Sequence, residues 1–573
     1  MVSAVSSNPF EPDDPEGTEW DVVVVGTGMG GSTVGYALAR SGHRVLFVEK
    51  GKFLHARADN SQRGVNADLE AGTVGDDPGE DAQSRLSRGY WPQRIQGDGT
   101  FGRLEFFAPL GCGSGGTTTL YAAALERFRP CDFRPRENFA NAADSSVPDR
   151  WPITYDELRP YYEQVEALYR VCGSVDPLAP EKSELLRDPP PLSERDQHLL
   201  DSFTSLGLHP YRMHVGYEYK PGCMECTGRV CPRACKSDAA TVCLLPAIRD
   251  FGAALLTECE VVRLDAGSTH VRSLHCVRDG RAITLRGKVV VLAAGAYMSP
   301  LLLLKSTSPA WPDGVANRSG LVGRNLMVHV ADYIALTPLS RLSTIGPQKT
   351  LAFNDFYLEG GEKVGSFQAV GAQISPGQIM QYIRSVAERD GRWWVRLAGP
   401  RPTWWRKVSS PAIRLFALIL YYAFNFKNAA IWGAVVEDLP YHDNRIVVDP
   451  LATNGMRFEY RYTAELRSRV LSFRRRLSKA IAPHRAIVLS VENNLNFGHV
   501  CGTCRFGDDP ALSVLDRNNR SHDVHNLFVV DASFFPSSGG TNPSLTIAAN
   551  ALRVAGVINR QLDAGDHYCP VKS

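Results

Sequence analysis

Two short motifs near the C-terminus hold residue types suited to moving a proton. The first is His499-Val500-Cys501-Gly502-Thr503-Cys504-Arg505. The second, about forty residues on, is Gly539-Gly540-Thr541-Asn542-Pro543-Ser544-Leu545-Thr546. A histidine titrates near neutral pH and can take the proton of a bound hydroxyl. An asparagine amide can donate to the hydroxyl oxygen and hold it in place. Both residues sit in glycine-bearing loops. The apolar run Leu527-Phe528-Val529-Val530 between them reads as a strand ending at Asp531. An isolated histidine more often satisfies a loop carbonyl; the pairing with Asn542 turns the reading toward catalysis.

What such a pair acts against is read from the other end of the chain. Trp20-Asp21-Val22-Val23-Val24-Val25 has the β-branched, apolar character of a buried parallel strand. Gly26-Thr27-Gly28-Met29-Gly30-Gly31 follows at once, with Gly26, Gly28 and Gly31 in G-x-G-x-x-G spacing. Val34, Ala37 and Leu38 then predict a helix that stops at Gly42, and Arg44–Val48 predicts a second strand ending at Glu49. Glycines there permit a tight turn and close approach of a pyrophosphate to the helix N-terminus, and a carboxylate at Glu49 suits ribose hydroxyls. The motif alone does not separate FAD from NAD.

Three further segments extend the pattern: the glycine-rich loop Gly111-Cys112-Gly113-Ser114-Gly115-Gly116-Thr117-Thr118-Thr119, the buried strand Val289–Leu292 running into Ala293-Ala294-Gly295-Ala296, and Gly323-Arg324-Asn325-Leu326. With the two terminal motifs, in this order, they resemble the glucose–methanol–choline (GMC) oxidoreductases, including cholesterol oxidase-like and pyranose oxidase-like members. The resemblance implies an α/β fold: a Rossmann-type FAD-binding domain with an inserted α+β substrate domain built on a β-sheet. It implies oxidation of an alcohol to a carbonyl, with His499 as the base and Asn542 as its partner. It also implies FAD contacts from Gly26, Gly28, Gly31, Glu49, Gly115, Gly116, Thr117, Asp531, Ala532 and Asn542. Some pyranose oxidase-like relatives carry a histidine bonded to FAD near the second glycine loop. The stretch Thr117-Thr118-Thr119-Leu120-Tyr121 has none, so FAD is expected to be non-covalent. Tyr121 stands where cholesterol oxidase-like relatives often have asparagine. The electron acceptor, oxygen or another, is left open. So are two alternatives: other chemistry on the same fold (lyase, isomerase or decarboxylase), and a non-catalytic flavoprotein.

The elements that position these residues need a large chain. Its 573 residues exceed one simple core. The expected division is an FAD-binding domain from 19–132, 236–330 and 497–560, a substrate domain from 133–235 and 331–496, and a solvated tail over 1–18. A net charge of +2 gives no field for nucleic acid. No basic and apolar leader is recognisable, so a cytoplasmic location is expected. Thirteen cysteines in such a chain read mostly as reduced and buried. Cys223, Cys226, Cys231 and Cys235 form C-x2-C-x4-C-x3-C, open to a metal centre, local disulfides or a plain structural role; no metal site is assigned.

On the substrate side, Ala434–Asp438 and Arg445–Val448 read as strands around a turn at His442-Asp443-Asn444. Glu437 and Asp438 there would line the pocket or, more often, close a sheet edge or pair with arginine. Ahead of them, Trp393, Trp394, Trp404 and Trp405 alternate with Arg392, Arg396, Arg401, Arg406 and Lys407, and an apolar run follows from Leu415 to Phe424. The run is too short to span a bilayer. The stretch 393–426 therefore reads as a peripheral membrane anchor or a lid over a lipophilic alcohol, with a core helix as the other reading.

Overall fold

The valine run of the first strand, Glu19–Val25, lies inside a parallel sheet with both faces covered, and Val22–Val24 are fully buried. Val45–Val48 and then Ala254–Leu256 lie on one side. The second half of the long strand Arg281–Leu292 lies on the other, and Leu527–Val529 lies beyond it. This is a computed structural model. It describes residues 10–55, 82–371 and 425–564, apart from positions 101, 141, 182, 184, 222, 224, 339 and 491–493, with a few residues between 415 and 423. The first half of Arg281–Leu292 leaves the parallel array and pairs antiparallel with Val271–Arg278, which pairs with Cys259–Ala266. Helix Met29–Arg40 connects the first two strands and packs against the C-terminal helix Ser544–Asp563. Elements far apart in sequence, the first and the last of these helices, therefore lie together.

A second sheet is centred on Met327–Thr337. It pairs antiparallel with Ala430–Glu437 on one side and with Arg485–Val488 and Leu495–Cys501 on the other. Gly365–Ala369, Leu351–Phe353 and Tyr211–Arg212 extend it outward. Helix Ala464–Ala480 presents Leu466, Val470, Phe473 and Leu477, one face at helical spacing, to a core shared with Trp432 and Phe353. Helices thus cover sheets in both halves, as the α/β reading expected.

Two expectations need correction. Arg445–Val448 forms no hairpin with Ala430–Glu437. It pairs with Met456–Tyr460, which runs parallel to Ile95–Gly99 in a separate four-stranded sheet. The chain leaves the second sheet at Asp438. Pro440 has no N–H for a ladder, and Leu439 and Tyr441 turn down onto Phe139 and Ala142. Within the segment read as a solvated tail, residues 10–18 lie on the body: Glu11 pairs with Arg278, and the Thr284 N–H donates to Glu16 Oε1 at 2.7 Å.

Candidate active site

The nucleotide signature folds as its glycines require. Gly26 has φ +98°, and a Cβ there would stand 2.4 Å from the Ala293 carbonyl oxygen. A Cβ on Gly31 would meet the Gly26 oxygen at 2.1 Å, and one on Gly30 the Val530 oxygen at 2.1 Å. Gly30 and Gly31 thus let the helix lie against the sheet. Gly28 differs: a Cβ there would meet nothing within 4 Å, and it caps the helix N-terminus with no side-chain bond. The second glycine loop closes over it. Gly116, at φ +54°, would bring a Cβ to 2.9 Å from the Gly28 Cα. The Gly115 N–H donates to Thr27 Oγ1 at 3.2 Å, and that hydroxyl donates to Glu49 Oε2 at 2.7 Å. Thr117 Oγ1 accepts from the Gly111 N–H. Thr27, not singled out in the sequence, therefore joins Glu49 to the second loop.

His499 lies on Leu495–Cys501, edge to face with His329 of the neighbouring strand. The two Nδ1 atoms are 3.0 Å apart, and His329 Nε2 is 2.8 Å from the Gly539 carbonyl oxygen. Gly539 lies three residues before Asn542, so His329 links the two C-terminal motifs. The Asn542 Oδ1 is buried and has no hydrogen-bond partner among the described residues. Burial pulls the His499 pKa down to about 3, helped by His329 and by the Lys349 ammonium. Burial likewise pulls His329 down to about 4. Both rings are neutral at physiological pH. His499 thus sits on a strand rather than in the loop expected from sequence, and the loop that follows it is tied to the turn after Leu527–Val529: the Gly502 N–H donates to the Ala532 carbonyl, and the Cys504 N–H to that of Ser533.

A family model described as GMC oxidoreductase matches residues 23–331 at the N-terminal side and 461–551 at the C-terminal side. The chain belongs to the GMC oxidoreductase family. It is 31% identical to paromamine 6'-oxidase of Streptomyces fradiae, over 94% of this chain and 91% of that one. It is 30% identical to 6'''-hydroxyparomomycin C oxidase of Streptomyces lividus, over 95% and 92%. 2-methyl-1,2-propanediol dehydrogenase of Mycolicibacterium austroafricanum is 26% identical over 94% and 95%. The fold matches pyridoxine 4-oxidase from Mesorbium loti (TM-score 0.60, 21% identity, covering 96% of this chain and 100% of that one). It also matches a formate oxidase (TM-score 0.61, 15% identity, covering 96% and 100%). The protein is an FAD-dependent oxidoreductase acting on CH–OH donors.

The residues present suit FAD. Gly28 and Gly116 form a cradle at a helix N-terminus that side chains would fill. The Glu49 carboxylate is buried and accepts from Thr27 and from the Gly51 N–H at 2.9 Å; burial raises its pKa. A carboxylate has capacity left for ribose hydroxyls. The Asp531 carboxylate is fully engaged by the protein. It accepts the Gly295 N–H and the Ser299 hydroxyl on one oxygen, and the Ser533 N–H and hydroxyl on the other.

The acids flagged on the substrate side turn out to be supports. Glu437 and Asp132 flank Lys363 in a fully buried ion cluster, and Glu437 Oε1 accepts the Gly539 N–H at 3.1 Å. Asp438 accepts the Val328 N–H at 3.1 Å and the Tyr460 hydroxyl at 2.9 Å; burial raises its pKa to about 7. The two acids thus brace the residues beside His329 and before Asn542. Lysine is the partner of Glu437 where arginine was expected. His329 and Lys363 were missed. His329 does follow the Gly323–Leu326 motif by three residues, which is a signal that could have found it.

The four clustered cysteines pack against one another as free thiols, and no metal-binding group is present among the described residues. Lys236 beside them is buried and donates to the carbonyls of Thr119, Tyr121, Cys226 and Arg229, tying the cysteine loop to the end of the second glycine loop. Of the stretch 393–426, residues 393–414 and positions 416, 417, 420 and 424 lie outside the described residues. Leu415, Leu418, Ile419 and Tyr422 are exposed. No helix among the described residues is long and apolar enough to cross a membrane.

Proposed function

We propose that His499 is the general base and Asn542 the group that holds the alcohol oxygen. His499 takes the hydroxyl proton as the carbon-bound hydrogen leaves as hydride, which makes that departure possible. When bound, FAD supplies the hydride acceptor. A neutral histidine has a lone pair to offer at physiological pH; a protonated one would not. The observation that carries the reading is the bridge from His499 through His329 to the loop bearing Asn542, whose amide N–H is the group able to donate to an alcohol oxygen. The helix Ser544–Asp563 starts two residues after Asn542, and its N-terminal partial positive charge favours negative charge developing beside it.

In this reading Gly26, Gly28, Gly31, Gly115, Gly116 and Thr117 cradle FAD, non-covalently, and Glu49 receives its ribose. Asp531 and Ala532 contact it through their main chain, because the Asp531 side chain is already engaged. The segments 19–132, 236–330 and 497–560 hold the cofactor; 133–235 and 331–496 face the substrate. The relatives of near-full coverage make an amino-sugar alcohol the first substrate class to try. The exposed apolar residues between 415 and 422 support the second reading, a lipophilic alcohol met by a cytoplasmic enzyme in peripheral contact with a membrane.

The test is an anaerobic panel of paromamine, simple diols, sterols, aryl alcohols and long-chain alcohols, followed by the flavin absorbance. Bleaching by one class identifies the substrate; readmitting air then shows whether oxygen serves as acceptor. His499→Ala is expected to slow bleaching by roughly 10²–10⁴-fold. An unchanged rate would remove His499 from the role.

A further inference from the structure

We propose that His329 is a positioning residue that fixes the tautomer of His499 and so aims its free lone pair. The inference rests on the reading of His499 as the base.

Donors and acceptors alternate along a chain that leads from Gly539 to His499. The Gly539 carbonyl can only accept, so the His329 Nε2, 2.8 Å away, must carry a hydrogen. His329 is neutral, and a neutral imidazole has one N–H; its Nδ1 is therefore a bare acceptor. His499 Nδ1 lies 3.0 Å from that nitrogen. Two bare nitrogens would repel, so the hydrogen between them belongs to His499 Nδ1. Its Nε2 is then left with the lone pair. The chain reads Gly539 C=O, H–Nε2 of His329, Nδ1 of His329, H–Nδ1 of His499, and finally the Nε2 of His499.

The direction is fixed from the far end. The Gly539 carbonyl is held because the same residue's N–H donates to Glu437 Oε1, and Glu437 is pinned by Lys363. The hydrogen bond sets the tautomer of His499, and the perpendicular ring packing sets its plane. When His499 Nε2 accepts the hydroxyl proton, the new imidazolium keeps its Nδ1–H on His329. No carboxylate is needed to orient it. In the opposite tautomer His499 would present an N–H to the hydroxyl and could not act as base.

His329→Leu removes both bonds; His329→Gln keeps an acceptor for His499 and a donor for Gly539. With the alcohol that bleaches the flavin fastest, the leucine variant is expected to reduce flavin roughly 10–100-fold more slowly with KM little changed, and the glutamine variant to return to within several-fold of the native rate. A readout free of substrate is the nitrogen NMR spectrum of protein labelled with ¹⁵N-histidine, with the His499 signals identified by their loss in His499→Ala. Native protein should show His499 protonated at Nδ1, and the leucine variant should lose that preference. A native spectrum with His499 protonated at Nε2 overturns the proposal, even if the leucine variant fails to fold. Equal slowing in the leucine and glutamine variants, or none in either while His499→Ala is slow, also overturns it. If His499→Ala is itself as fast as native, it is the base reading that fails.

Discussion

At the residue scale, the candidate site pairs two neutral imidazoles with a neutral amide. The Asn542 amide oxygen has no partner among the described residues, so replacing the residue orphans nothing there and should be felt little in the fold; what the reaction would lose is the donor, the amide N–H. Asn542→Ala is expected to slow flavin reduction roughly tenfold to a hundredfold, the value of one hydrogen bond to a group gaining charge, while the denaturation midpoint stays near native. Stopped-flow bleaching and urea unfolding check the two halves of that statement. The neutral histidines have a second consequence. Both folded-state pKa values lie below the ordinary value of 6.5, at about 3 and about 4. The unfolded chain therefore binds protons that the folded one refuses. Their contribution to stability is complete above about pH 6.5 and is lost as pH falls toward 4. At pH 5 each ring costs about 2 kcal/mol. His329→Gln, which cannot titrate, should remove about that much of the stability difference between pH 7.5 and pH 5, measured from urea midpoints at the two pH values.

At the element scale, the loop that leads to Asn542 is held from beneath by charge. Lys363 is fully buried between Asp132 and Glu437, and Glu437 carries the Gly539 N–H. The net benefit of such a cluster is small, but breaking it leaves two carboxylates in a place without water. Lys363→Met is expected to destabilise the protein by about 3–5 kcal/mol, and adding Glu437→Gln should recover part of the loss. Denaturant titration of the single and double variants checks both. The sequence could not announce this cluster, because its three members lie at 132, 363 and 437 on unrelated elements. Local elements were far more legible. The valine run and glycine spacing of 20–31 dictate a strand, a turn and a helix from nearest-neighbour physics, and the structure places each within a residue or two. The strands near 434–448 show the limit. Their periodicity was readable, but their pairing depends on where Leu439 and Tyr441 find apolar partners, and Phe139 and Ala142 are nearly three hundred residues away in sequence.

At the scale of the whole molecule, the candidate site lies where distant parts of the chain converge. Residues 26–49 and 111–119 meet at Gly28 and Gly116, Val530 lies against Gly30, and the second sheet brings His329 and His499 together. The family membership of the chain was legible from the order of its motifs. His329 escaped because its function depends on a partner 170 residues away. One large feature stands outside this logic. Leu415, Leu418, Ile419 and Tyr422 recur at i, i+3, i+4 and i+7, the spacing of one helix face, and all four are exposed. Four large apolar groups on one exposed face, preceded in sequence by alternating tryptophan and arginine, match the composition of a helix that lies in a lipid interface. The prediction is that the protein sediments with vesicles containing anionic lipid and is released in part by salt, since basic residues contribute a screened attraction and apolar ones do not. Leu418→Glu with Ile419→Glu removes apolar burial worth roughly 1.5–3 kcal/mol per side chain when complete, so the bound fraction should fall at least tenfold at limiting lipid. Because this face is remote in sequence from every cradle and base residue, the same double variant should bleach with a water-soluble alcohol at the native rate. Loss of bleaching along with binding would instead make the segment part of the substrate pocket, closing over the alcohol rather than resting on a membrane.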